Sequence, residues 1–392
     1  MHSGRLHSVE QYRRAARRRL PRFIFDYLEG GAGDEAGLRY NLQRPGEIRL
    51  HPRRLVDVSS VTTHAALFGR AYAAPIGIAP VGMSGCFWRH GDLHLATAAA
   101  RANLPFVMSM ASNSAVEEAV AIAGPARMWF QLYVMEAALS DALLADLRTA
   151  GCETLVVTVD VPVSGKRERD LRNGFALPFR LRAAHCIDVL CTPRYWRHGS
   201  RLADLRLRNI ERVLDVRDPL AQASLLRRQM DMTFDQAALR RIRAAWPGRL
   251  IVKGILRASD ARACVSAGAD AVVVSNHGAR QIDGCVSPFD VLREVVEAVR
   301  VPVLVDGGIR RGEDVLKALA MGASMVLVGR PAIYGLAVDG AAGSEAVLRL
   351  LADELRLAMT LCGCRSVAAI DGDLLYPERP VARRAERSRE WG

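Results

Sequence analysis

No stretch of this chain approaches the roughly 20 consecutive apolar residues that a membrane-crossing helix requires, so no spanning segment is expected. The opening MHSGRLHSVEQYRRAARRRL is basic but lacks the apolar stretch of a secretory signal. Its portion VEQYRRAARRRLP reads instead as a short helix stopped by Pro21. The eight cysteines, at 86, 152, 186, 191, 264, 285, 362 and 364, form no C-x-x-C pair, and CGC at 362–364 is too tight for zinc ligation. No metal is expected. Cys152 and Cys264 sit in apolar surroundings as small hydrophobes, and reduced thiols fit a cytoplasmic enzyme. The net charge of +12 is mostly arginine, yet no helix-turn-helix, zinc-finger or RNA-module pattern accompanies it. Nucleic acid is therefore not an expected partner; anionic substrates or an anionic membrane surface suit the charge better. No G-x-G-x-x-G follows an early strand, which weakens a nicotinamide reading.

What is present is a repeat of strand and helix. At 392 residues and 50% hydrophobic, the chain can bury a large core. It is read as one α/β domain spanning 1–392. Eight apolar runs recur: PIGIAPVG (75–82), PFVMSMAS (105–112), RMWFQLYV (127–134), TLVVTVDVP (154–162), LIVKGI (250–255), AVVVSNHG (271–278), VPVLVDGGI (301–309) and MVLVGRP (325–331). Between them, SDALLADLRTAG, ASDARACVSAGA and GEDVLKALAMGA carry helical spacing and close on glycine. Continuous apolar strands alternating with amphipathic helices predict a parallel sheet covered on both faces, and eight units predict a (β/α)8 TIM barrel. The gap between the fourth and fifth runs makes residues 175–235 an insertion over the catalytic face. It mixes arginines with Ile, Val, Leu, Tyr and Trp. Three readings fit that mixture: contact with an anionic bilayer, an active-site lid, or an oligomer contact.

Each run ends on polar or glycine residues, where barrel chemistry gathers. The seventh and eighth end DGGIRRG and VGRP, so Gly308, Gly329, Arg310 and Arg330 form a candidate phosphate site. Lys253 ends an apolar strand, where a lone ammonium needs a partner; the negative edge of a reduced flavin would supply one. Ser109, Gln131 and Thr158 could hydrogen-bond that same edge. With a phosphate site they describe flavin mononucleotide (FMN). The stretch VVVSNHGARQID places His277 and Arg280 around a glycine where an apolar strand ends. A phosphate-substrate barrel such as an aldolase would explain the lysine and the phosphate loops but not this pair, and a non-catalytic membrane scaffold would need neither.

The motifs LPRFIFDYLEGGAGDE, APVGMSG, WFQLYV, TVDVPVSGKRERD, KGI, SNHGARQID, DGGIRRG and VGRP together resemble the FMN-dependent family that oxidises L-2-hydroxy acids. DYLEGGAGDE, GKRERDLRN and RRQMDMTFDQAAL resemble its mandelate-oxidising members in particular, whose insertion attaches to a membrane. The resemblance implies that His277 is the catalytic base and Asp160 the carboxylate paired with it. It places Arg280, Arg167, Tyr27 and Tyr133 on the substrate. It makes Lys253, Gln131, Thr158, Ser109, Ser275, Asp306, Gly308, Arg310, Gly329, Arg330 and the backbone of Pro80, Val81 and Gly82 flavin contacts. It also implies a small 2-hydroxy acid as partner and a homo-oligomer, often a tetramer. The electron acceptor is left open, with a quinone or respiratory chain as candidates, and a cytoplasmic location could include peripheral membrane contact. Ala111 stands where glycolate oxidase carries tryptophan, leaving room for a larger substrate side chain. Gly82 stands where the oxidases carry alanine, which favours an acceptor other than oxygen. L-Lactate oxidation and oxygen use are the alternatives.

Overall fold

Eight segments whose residues are nearly all apolar leave no polar face for water, so both faces must be covered. The computed structural model describes residues 6–174, 182–199, 205–214, 216–218, 221–222 and 230–377. In it these segments are strands β1 (Ile76–Ile78), β2 (Phe106–Ser109), β3 (Met128–Tyr133), β4 (Thr154–Thr158), β5 (Arg249–Ile255), β6 (Ala271–Val274), β7 (Val303–Asp306) and β8 (Met325–Val328). They pair in parallel in sequence order, and β8 returns to β1 to close the barrel. The expected TIM barrel is therefore the observed architecture. The closed ring has no free edge and gathers all eight carboxyl-terminal strand ends on one rim. Lateral register aligns the polar ends: Ser109 lies beside Gln131, and Thr158 lies between Tyr133 and Lys253.

Helices between the strands cover the outside of the barrel. The helix Pro288–Ala298 begins with Ser287 accepting from the Phe289 amide, and the first-turn Asp290 accepts from the Ser287 amide in return. Three helices precede the barrel: α1 (Val9–Arg17), α2 (Arg22–Glu29) and α3 (Ala36–Glu47). Pro21 does not stop α1, which ends at Arg17; it caps the start of α2, where its missing N–H costs nothing. An antiparallel hairpin, Ala65–Leu67 with Arg70–Tyr72, closes the opposite end of the barrel and was not expected from the sequence. The insertion 175–235 lies partly outside the described residues. Its described parts include the helices Ala183–Leu190, Pro193–Trp196 and Arg208–Leu214.

Candidate active site

At the carboxyl-terminal rim a cavity is lined by Pro80, Val81 and Gly82 after β1, Ala111 after β2 and Tyr133 on β3. Arg167, Lys253, His277, Arg280 and Asp306 complete its polar wall, with Tyr27 reaching in from α2. Gly308, Arg310, Gly329 and Arg330 close its far end. Fifteen of the twenty residues singled out in the sequence thus share one cavity wall. The other five adjoin that wall: Asp160 contacts His277, Ser275 and Thr158 neighbour Lys253, Ser109 accepts from the Ala111 amide, and Gln131 accepts from Ser109.

The SNHGARQ segment has an unusual backbone. His277, Gly278 and Ala279 are left-handed in succession, with φ of 55°, 62° and 58°. Side chains with a Cβ rarely adopt that conformation, and surrounding bonds must hold it. Asn276 is one such hold: its Oδ1 accepts from the Ala279 amide at 3.1 Å and from Asn41 Nδ2 at 2.8 Å. Its Nδ2 donates to Asn41 Oδ1 at 2.9 Å, completing a buried amide pair between this loop and α3. Asp283 is another, accepting from the Gly37 and Asp34 amides at 2.8 and 3.0 Å. Asn41, Asn276 and Asp283 were not predicted, because only the fold brings α3 against this loop.

The result is an imidazole aimed across the rim. His277 Nδ1 lies 3.0 Å from Asp160 Oδ1, and the His277 amide donates to Ser275 Oγ. Burial pushes the Asp160 carboxyl up, but the His277 and Lys253 charges outweigh it and hold the pKa below its ordinary value. Arg280 donates from Nη1 to the carbonyls of Tyr27 and Gly30 at 2.9 and 2.7 Å. Its guanidinium lies over the Tyr27 ring at 5.1 Å. Burial, then repulsion from Arg167, press its pKa down to about 10, so an arriving carboxylate would relieve it. Burial likewise raises the Tyr27 and Tyr133 hydroxyls, the latter to about 12, so both are neutral donors at ordinary pH.

Lys253 departs from the sequence reading. It is not a lone ammonium: Nζ lies 3.2 Å from Asp306 Oδ2 and donates to Ser275 Oγ at 2.7 Å. The parallel order of β5, β6 and β7 places the three side by side, which strand spacing in sequence does not reveal. Asp306 and Asp160 together overcome the burial penalty and raise the Lys253 pKa. Arg330 departs too, since Nε, Nη1 and Nη2 each donate to a backbone carbonyl, of Leu28, Gly278 and Gly30. It pins α2 to the His277 loop as well as facing the cavity.

The residues fit a flavin. Gln131 Nε2, Thr158 Oγ1 and Asp306 Oδ1 are buried with no hydrogen-bond partner among the described residues. Such atoms are costly unless something satisfies them, and the pyrimidine edge of a flavin carries matching acceptors and a donor. At the phosphate end Gly307 and Gly308 have φ of 96° and 80°, and a Cβ on Gly308 would meet the Asn41 carbonyl at 2.0 Å. Gly82 faces Ala111, whose Cβ would lie 3.1 Å from an added methyl.

The insertion contributes as well. Leu205, Leu207 and Met230 line the cavity. Asn113 Nδ2 holds the Leu205 carbonyl at 2.8 Å, and Tyr195 donates to the Cys86 carbonyl at 2.8 Å. None of these was named from the sequence.

A barrel with this rim belongs to a known class. The model of the FMN-dependent dehydrogenase family matches residues 16–377, and the chain belongs to that family. FMN is accordingly its cofactor, and the chain is an oxidoreductase. It is 41% identical to the (S)-mandelate dehydrogenase of Pseudomonas putida over 96% of this chain and 95% of that one. An L-lactate dehydrogenase of Caulobacter vibrioides is also 41% identical, over 96% of this chain and 99% of its own. A 4-hydroxymandelate oxidase of Amycolatopsis orientalis is 42% identical, over 92% and 96%. The crystal structure of the monotopic membrane protein (S)-mandelate dehydrogenase superposes with a TM-score of 0.90 at 41% identity, covering 95% of this chain and 100% of that one.

Proposed function

We propose that this enzyme oxidises an L-2-hydroxy acid to the 2-oxo acid, favours a side chain of mandelate size, and passes electrons to an acceptor other than oxygen. The observation that carries the reading is the convergence of the His277–Asp160 pair with Arg167, Arg280, Tyr27 and Tyr133 around one cavity. Bound FMN supplies a two-electron acceptor. Lys253, Ser109, Gln131 and Thr158 would hold its polar ring edge, with Asp306 and Ser275 fixing the lysine. Pro80, Val81 and Gly82 would lie along the ring, and Gly308, Arg310, Gly329 and Arg330 would hold the phosphate. Arg167 and Arg280 bind the carboxylate, helped by Tyr27, while Tyr133 donates to the 2-hydroxyl. Through Nε2, His277 takes the proton from substrate, and Asp160 stabilises the imidazolium that results.

Side-chain preference rests on what surrounds the substrate. Ala111 is small, and Phe87, Leu205, Leu207 and Met230 add apolar wall, which suits an aromatic group better than a methyl. Gly82 beside the ring supports the non-oxygen acceptor, with a quinone as candidate. Anaerobic bleaching of the bound flavin by (S)-mandelate, L-lactate and glycolate, followed by admission of air, tests both points. The expected result is fastest bleaching by mandelate and slow return of colour in air. Faster bleaching by L-lactate would move the substrate to that acid, and rapid recolouring would make the enzyme an oxidase.

The outer side of the insertion supports peripheral contact with a membrane. Ile187, Leu190 and Trp196 are exposed there, and Arg194 and Arg197 are exposed beside them. Apolar tips ringed by arginine suit the headgroup region of an anionic bilayer. Among the described residues, no helix is long and apolar enough to cross a membrane. The holoenzyme should float with vesicles containing phosphatidylglycerol, and a triple serine variant at 187, 190 and 196 should stay behind. Equal flotation of both would refute the assignment.

A further inference from the structure

One buried carboxylate at the rim has no role in the chemistry above. Asp170 lies on the short helix Glu168–Asn173 and is 3% exposed. Its Oδ1 has no hydrogen-bond partner among the described residues, and its Oδ2 lies 3.5 Å from Arg167 Nε, beyond a good hydrogen bond. With so little hydrogen bonding, what favours its ionised form is nearby positive charge. Burial holds its pKa above the ordinary carboxylate value; the charges that oppose this are, in order, Arg280, Arg167 and Arg169, with Asp26 acting the other way. Its field reaches Tyr27 as well. Three of the four groups placed around the substrate carboxylate and hydroxyl therefore sit in the field of Asp170. The other acids of the rim have partners: Asp160 serves His277 and Lys253, and Asp306 pairs with Lys253.

We propose that Asp170 is the counter-charge of the Arg167–Arg280 pair, a positioning residue that limits how tightly the pair grips a carboxylate and so allows the 2-oxo acid to leave. The inference rests on the reading of these arginines as carboxylate ligands. Two neighbouring guanidiniums repel one another and would hold any carboxylate strongly in a partly dry cavity. With an ionised Asp170 beside Arg167, the pair and its counter-charge present one net positive charge to the arriving anion instead of two. The Arg280 fork does not depend on Asp170, because the Tyr27 and Gly30 carbonyls orient it. Removing the negative charge should thus strengthen anion binding and leave the fork in place.

The test is titration of the flavin spectrum of the holoenzyme and its Asp170→Asn variant with phenylglyoxylate, a 2-oxo acid, and with its neutral amide. The expected result is about a three- to tenfold lower Kd for the acid in the variant, with the amide unchanged. A merely structural role would weaken both ligands together, and that outcome, or an unchanged acid Kd, would overturn the proposal. Should Asp170→Asn not retain FMN, Asp170→Ser is read in the same way; loss of FMN in both would mark Asp170 as structural and overturn it too. Arg280→Met, titrated alongside, separates the two levels of inference. If it leaves acid affinity intact, the carboxylate reading falls; if it weakens the acid while Asp170→Asn does not strengthen it, only the counter-charge falls.

Discussion

The two ends of this barrel are built on opposite terms. At the floor, closed by the hairpin, charges meet partners near solvent: Arg70 with Glu153 at 3.0 Å, and Arg243 and Arg249 with Asp270 at 2.9 and 3.3 Å. Arg249 also covers the Phe68 ring at 5.4 Å. At the mouth, charges are buried and polar atoms go unpaired. All seven buried side-chain atoms without a partner among the described residues belong to strand ends or segments at the mouth: Asp92, Ser114, Gln131, Thr158, Asp160, Asp170 and Asp306. Native interiors avoid such features unless something else requires them. The floor is arranged for the stability of the fold, and the mouth for what enters it.

The largest expected break in that contrast is at His277. His277→Ala should still bind FMN, because the phosphate loops and the ring edge are untouched. Its rate of anaerobic flavin reduction by a 2-hydroxy acid should fall by at least about 10²- to 10⁴-fold. Near-normal reduction in stopped flow would remove His277 from the mechanism. The next effect compares ion pairs at the two ends. The Lys253 and Asp306 side chains are 4% and 9% exposed. Lys253→Met should therefore strand a buried carboxylate and destabilise the holoenzyme by about 3–5 kcal/mol. Arg70 and Glu153 are 51% and 49% exposed, so Arg70→Ala should cost only about 0–1 kcal/mol. Urea unfolding of the two variants side by side measures the difference, and similar losses would erase the distinction drawn between mouth and floor.

The reading of the sequence succeeded where a residue's role is local. Apolar runs such as LIVKGI and MVLVGRP announce buried strands by themselves, and their polar ends announce a rim. It failed where the partner comes from elsewhere in the chain. Lys253 looked like an ammonium waiting for a flavin because Asp306 is two strands away in sequence, and only ring closure sets them at 3.2 Å. Asn41 carries no local signal, yet its amide pair with Asn276 holds the loop that presents His277. The hairpin at the floor consists of two three-residue strands, too short for periodicity to register. Likewise Leu205, Leu207 and Met230 reveal their place on the cavity wall only in the folded chain.

The chain itself determined the number and order of strands, since side chains that shun water must be covered wherever they lie in the fold. It also determined which functional groups stand at the ends of those strands. Tertiary structure alone decided which groups meet. Distances between side chains on different strands follow from barrel closure and register, hydrogen bonds are lost beyond about 3.5 Å, and charge effects weaken with separation. That is why His277 with Asp160, Lys253 with Asp306, and Asp170 beside Arg167 are properties of the folded rim.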